Sequence, residues 1–447
     1  MSHLEIVPFK KSHTFTVSMP GSKSISNRAL VLASLCNCEV KLKGVLVSED
    51  VELMKEALIS MGVQINEEKN GKTLLVRGCE GKLPFKEQSL KVGNAGTVAR
   101  FLTALLATQK EGVFHLDGSS AMRLRPMNEL TKSLETMGCK FSFSAKPGCF
   151  PFTMHTNGLQ GKVWSIDATK SSQVLSALLM IAPLINRGTC IRYEGGTVSE
   201  PFVGITTKMI NSFSRGRNCR IASYDNEIEI HSEGYSTEDF EYHIEPDATA
   251  ASYFLTLPIA TGGSCLAKGI STTMLQGDSA YTGILEKLGF NISSTQGGTL
   301  SSLPAAAGGG EFNFNKISDT FLTILAVSPL LTHDILVRGI GHTRKQETDR
   351  VSAMAKELRK LGQNVEEGND YIWVRPDLNK LRDAVGSMTS VSTYGDHRFA
   401  MSFAILGCHD LFDDGRPWLS IKDHQCCSKT FPNFFEVLDG LRKGVGK

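Results

Sequence analysis

Six times along the chain, a short cluster of small polar residues opens a run that is apolar at nearly every position. The openings fall at Ser24, Thr97, Ser171, Asp247, Asp319 and Asp396, about 75 residues apart, and such a period marks an internal repeat. Runs such as FLTALLA from Phe101, LSALLMIAP from Leu175 and FLTILAVSPLL from Phe321 carry no polar stripe, so they predict helices buried inside the fold. A second marker keeps the same period: LISMG ends at Gly62, LETMG at Gly138, LEKLG at Gly289 and LRKLG at Gly362. Each is a Gly C-cap followed by a strand-like stretch. The copy expected near residue 213 is degenerate.

Each repeat therefore reads as a buried helix, a strand, an amphipathic helix and a strand hairpin. The amphipathic stripe is clearest at Val351, Met354, Ala355, Leu358 and Leu361, spaced i, i+3, i+4, i+7. Six such units in 447 residues exceed what one hydrophobic core supports. Two domains of three units each are expected.

Charge and cysteine content narrow the classes. The 48 Lys and Arg against 46 Asp and Glu leave a formal charge of +2, which argues against a nucleic-acid partner. The 11 Cys are scattered with no CxxC pair; neighbouring Cys426 and Cys427 do not readily bridge each other. No metal, no cofactor and a reducing compartment are the expectations. The first residues enter a strand pattern (LEIVPF) and no apolar run reaches spanning length, so a cytoplasmic protein without a membrane partner is expected.

The positive charge is placed unusually. Lys23 and Arg28 in PGSKSISNR, Arg100 after GNAGT and Arg398 in DHR sit at or near helix starts, where cations oppose the helix dipole unless an anion compensates. Gly-rich turns at helix starts suit phosphate or carboxylate, although the Walker spacing is absent. Arg123 and Arg125, then Arg344 and Arg350, add further forks. A solvated, charged surface explains any one segment. Their recurrence at homologous ends of the repeats favours a crevice for small anionic substrates.

Seven motifs, PGSKSISNRAL, GNAGT, SSQ, LQGDS, QETDR, DHR and SKTFP, occur in an order that resembles the EPSP synthase family, the 3-phosphoshikimate 1-carboxyvinyltransferases. The resemblance spans essentially the whole chain. It implies an α/β, two-domain, inside-out barrel-like fold in which each domain holds three βαβαββ repeats around buried helices. One domain would cover residues 22–244, the other 1–21 plus 245–447. It further implies a transferase of the shikimate pathway that moves the enolpyruvyl group of phosphoenolpyruvate to the 5-hydroxyl of shikimate-3-phosphate, acting as a monomer without a cofactor.

Carried onto this chain, the family's shikimate-3-phosphate contacts fall on Lys23, Ser24, Arg28, Ser171, Ser172, Gln173, Ser199, Asp319, His342 and Gln346. Its phosphoenolpyruvate contacts fall on Lys23, Asn94, Gly96, Arg125, Gln173, Arg350, Arg398 and Gln425. The resemblance makes Asp319 the base at the hydroxyl, Glu347 the acid at the methylene carbon and Lys23 the cation bridging both substrates. From the residues alone, Asp319 reads equally as a helix N-cap, and Glu347 as a first-turn carboxylate.

Departures from the family pattern are Gln346 and Gln425 where Lys is common, Phe202 for Tyr, His342 for Asn, Gly395 for Asn and Phe101 for Pro. Gln425 is nonetheless expected to line the phosphoenolpyruvate pocket. Two alternatives remain: a UDP-N-acetylglucosamine enolpyruvyl transferase, against which the Cys-free loop Ala121 to Pro126 counts, and a non-catalytic anion-binding paralogue.

Overall fold

The computed structural model describes residues 3–9, 14–68, 70–167, 171–185, 188–194 and 200–444. The chain divides into two compact units, one of residues 21–245 and one joining residues 1–20 to 246–447. Sharp ends to the buried helices and Gly caps on the amphipathic ones give both units the same internal plan.

In the first unit, helices Lys23–Leu35, Gly96–Ala107 and Ser172–Ile185 pack on one another. Every residue of Gly96–Ala107 is buried, as its unbroken apolar run requires. Three four-stranded sheets accompany these helices, each with one parallel and two antiparallel pairings. In one, Val163–Asp167 runs parallel to Thr189–Glu194, which pairs antiparallel with Glu227–Ser232 and through it with Cys219–Tyr224. Strands such as Glu227–Ser232 bury alternate residues, so one face of the sheet is apolar.

The second unit repeats this plan with helices Ala248–Thr256, Phe321–Ala326 and His397–Gly407 in mutual contact. Its sheets complete themselves with distant strands. Thr14–Ser18 lies parallel to Ser264–Lys268, and His3–Ile6 pairs antiparallel with Leu419–Lys422. In the first unit, Phe240–His243 closes a sheet parallel to Glu39–Lys43. Alternating these helices with strands on such sheets yields the inside-out α/β architecture, and among the described residues no sheet closes into a barrel.

The Gly markers act as expected: Gly62, Gly138, Gly289 and Gly362 have φ of 91°, 111°, 98° and 77°, values that a Cβ disfavours. At the degenerate copy, helix Pro201–Phe213 ends on Ser214 at φ −93°, and the positive φ is deferred to Gly216. The apolar run from Phe321 is less regular than expected. Its α-helix stops at Ala326 and gives way to a 3₁₀ turn, Ser328–Leu330, because Pro329 removes a backbone donor.

Candidate active site

In the unit of residues 21–245, the starts of the buried helices bring cations together. Arg28 is 1% exposed. Its Nε donates to Thr206 Oγ1 at 2.8 Å, its Nη2 to Ser176 Oγ at 3.1 Å and its Nη1 to the Ser24 carbonyl at 3.0 Å. The guanidinium lies 5.1 Å from the Phe101 ring centroid and 5.8 Å from that of Phe202. Both departures from the family pattern thus cradle this cation through their ring faces. Arg28 forms no ion pair among the described residues, and burial pushes its pKa down to about 9.

Gln173 stands at the start of the third buried helix and accepts from Arg100 Nη1 at 3.1 Å. Arg100 also donates to the carbonyls of Gly96, at 3.1 Å, and Pro126, at 3.0 Å. Arg125 reaches the Asn94 carbonyl at 3.4 Å, and its buried Nε has no hydrogen-bond partner among the described residues. Gly96 is needed where these forks meet: a Cβ there would fall 2.7 Å from Arg125 Nη2 and 2.9 Å from Arg100 Nη1. Lys23 Nζ lies 3.7 Å from Asp50 Oδ2. Ser171 Oγ accepts from the Gln173 amide at 3.3 Å, and Ser172 is the first residue of its helix. Ser199 lies outside the described residues.

The other unit holds a buried ionic network. Arg350, 2% exposed, donates from Nη1 to Asp319 Oδ1 at 3.1 Å, from Nη2 to Glu347 Oε2 at 3.1 Å and from Nε to Asp396 Oδ2 at 2.7 Å. Arg398 Nη2 reaches Asp319 Oδ2 at 2.7 Å. Burial alone would lower the pKa of both guanidiniums, but their carboxylate partners outweigh it and raise both. The Nε of Arg398 is buried without a partner among the described residues. Lys429, also buried, places Nζ 2.7 Å from Glu347 Oε1. His342 Nε2 lies 2.9 Å from Ser318 Oγ, and burial lowers its pKa.

Both carboxylates make contacts beyond those of a helix start. The N-cap position of helix Phe321–Ala326 is Thr320, and the Asp319 carboxylate is held by two Arg forks. Helix Arg350–Lys360 is capped by Asp349, which accepts from the Ser352 amide at 3.0 Å. Glu347 lies outside that first turn, held by Arg350 and Lys429.

Comparison with known proteins places the whole chain. A family model described as EPSP synthase (3-phosphoshikimate 1-carboxyvinyltransferase) matches residues 10–438. The chain belongs to the EPSP synthase family. It is 44% identical to a 3-phosphoshikimate 1-carboxyvinyltransferase of Opitutus terrae, over 98% of this chain and 97% of that one. It is 35% identical to one of Nostoc punctiforme, over 97% and 98%. Among solved structures, an EPSP synthase of Acinetobacter baumannii superposes with a TM-score of 0.78 at 22% identity, covering 100% of this chain and 98% of that chain, which is a likeness of fold.

Within the EPSP synthase family pattern, the two Lys-to-Gln departures differ in setting. The Gln346 side-chain carbonyl accepts from Arg350 Nη1, a bond that an ammonium, being donor only, cannot make. Gln425 is exposed on the turn His424–Lys429, while Lys429 of the same turn is the buried cation. Lys429 and Asp396 were missed as site residues. Lys429 had its signal within SKTFP. Asp396 had one in DHR, yet a helix opener there reads first as a cap, and it does cap, accepting from the Arg398 amide at 2.9 Å.

Proposed function

We propose that the protein is a 3-phosphoshikimate 1-carboxyvinyltransferase: it transfers the enolpyruvyl group of phosphoenolpyruvate to the 5-hydroxyl of shikimate-3-phosphate and releases phosphate. The observation that carries the assignment of roles is the grip of Arg350 and Arg398 on the two oxygens of Asp319. Two forks fix the carboxylate's orientation, so it meets the substrate hydroxyl in one geometry and accepts its proton as the oxygen attacks.

The new C–O bond forms at the phosphate-bearing carbon while Glu347 delivers a proton to the methylene carbon. In the second half the C–O bond to phosphate breaks, the now ionised Glu347 takes a proton back from the methyl group and the double bond returns. The orphaned Nε–H groups of Arg125 and Arg398 support anion binding, because a buried donor without a partner costs about 1–3 kcal/mol that an anionic ligand recovers. Lys23 and Arg28 add positive charge for the substrate anions. Small anionic substrates follow from this chemistry, and a monomer suffices for it. No described helix is long and apolar enough to cross a membrane, and a cytoplasmic location suits these substrates.

The test is phosphate release from phosphoenolpyruvate with shikimate-3-phosphate or UDP-N-acetylglucosamine as acceptor. Release with the first acceptor alone is expected. Release with the second alone assigns the other transferase, and release with neither assigns a non-catalytic paralogue.

A further inference from the structure

The LQGDS segment is the one motif given no role above, and it wraps the start of helix Ala248–Thr256. Gln276 Oε1 accepts from the Ala248 amide at 3.0 Å, and its Nε2 donates to the Pro246 carbonyl at 2.7 Å. Asp278 accepts from the Thr249 hydroxyl and is buried. Its turn, Gly277–Ala280, packs against the turn Asn315–Ile317, which leads directly into Asp319. A second carboxyl is thereby buried on a turn that packs against the one leading into the proposed base.

We propose that Asp278 is a positioning residue for the reaction: its buried carboxyl changes charge behind Asp319 and so sets how readily Asp319 accepts a proton. The inference rests on the reading of Asp319 as the base.

The surroundings support a titrating group. Burial, then the charge of Asp319, raise Asp278 to about 7, against the opposing pull of the Thr249 hydrogen bond and Arg398; Asp247 adds to the rise. Of the other titratable groups on the elements packed around it, Tyr253 lies beside Arg398, buried Tyr281 shares a hydrogen bond with the Thr256 hydroxyl, and Lys316, Glu286 and Lys287 are exposed. The coupling is reciprocal. Ionised Asp278 repels the negative charge on Asp319, which the two Arg forks otherwise hold, and makes its protonation easier. Neutral Asp278 leaves Asp319 a weaker base.

Asp278→Asn mimics the neutral form, since its carbonyl still accepts from Thr249. Turnover of the wild-type enzyme is expected to rise about threefold to tenfold as pH passes through about 7, following the stronger base. In Asp278→Asn this inflection disappears while both KM values stay within about twofold. A variant profile that keeps the inflection, or a uniform loss at every pH, overturns the proposal. An infrared pH titration of the substrate-free enzyme reads the group without catalysis. A protonated-carboxyl band titrating near pH 7 is expected, absent from Asp278→Asn and shifted to lower pH in Asp319→Asn. A band that is missing, or unmoved by Asp319→Asn, removes the coupling. Near-normal turnover of Asp319→Asn with the band shifted as expected would instead reject the base assignment and leave the coupling standing.

Discussion

Lys429 Nζ lies 2.7 Å from Glu347 Oε1, across 82 residues of sequence. With Arg350 on the other oxygen at 3.1 Å, it fixes the plane of the proposed acid. Removing Lys429 leaves Glu347 held at one oxygen only, free to rotate away from the reacting carbon. Lys429→Met should therefore lower kcat by about 10²-fold or more, whereas Gln425→Ala, on the exposed side of the same turn, should stay within about threefold of wild type. Steady-state kinetics of both variants check this; the reverse order would place Gln425, not Lys429, beside the chemistry.

Arg28 is a buried cation whose described partners are neutral. Replacing it with Met removes an uncompensated charge and leaves Thr206 and Ser176 bonded to each other at 3.0 Å. Thermal unfolding of Arg28→Met should show no fall in Tm, while KM for shikimate-3-phosphate rises about tenfold to hundredfold, the worth of about 1.5–3 kcal/mol of charged hydrogen bonding. A lower Tm with unchanged KM would make Arg28 a structural residue only.

Gly96→Ala places a methyl 2.7 Å from Arg125 Nη2 and 2.9 Å from Arg100 Nη1, so a guanidinium must move. The fold should survive, since the displaced atoms end flexible side chains. KM for phosphoenolpyruvate should rise about tenfold, a loss of about 1.4 kcal/mol, with KM for shikimate-3-phosphate little changed. Equal effects on both substrates would mean that the displaced Arg does not discriminate between them.

Asp278 also predicts a stability signature. Its folded pKa is raised to about 7, above the ordinary carboxylate range, so the protein binds this proton more tightly than the unfolded chain does. The resulting stabilisation is complete below the unfolded value and is lost as pH rises through about 7. Chemical denaturation at pH 5 and pH 8.5 should show a larger loss for wild type than for Asp278→Asn. Parallel losses would mean that Asp278 is ionised throughout.

Much of this architecture was legible because it follows from local chemistry. The apolar runs and the glycines at 62, 138, 289 and 362 declare buried helices and their neighbours through periodicity and φ alone. The pairing of Thr14–Ser18 with Ser264–Lys268 was not legible, since residues some 250 apart leave no turn signal between them. The Arg residues of the site could be identified by motif, but their partners could not. Asp319 two residues ahead of a helix and Asp396 at a helix start look alike in sequence. The structure makes the first a doubly clamped carboxylate and the second both a cap and a counterion to Arg350. The role of Lys429 was hidden for the same reason, because its contact with Glu347 exists only once a distant turn is brought home.

The central claim is that Asp319 is the proton acceptor, and Asp319→Asn tests it most directly. The amide keeps the shape and one acceptor oxygen, so shikimate-3-phosphate binding measured by calorimetry should remain within about tenfold of wild type. Phosphate release in the same preparation should fall by about 10²–10⁴-fold, the usual contribution of a general base. Retained binding with lost turnover is the predicted result; near-normal phosphate release from the folded variant would contradict the account.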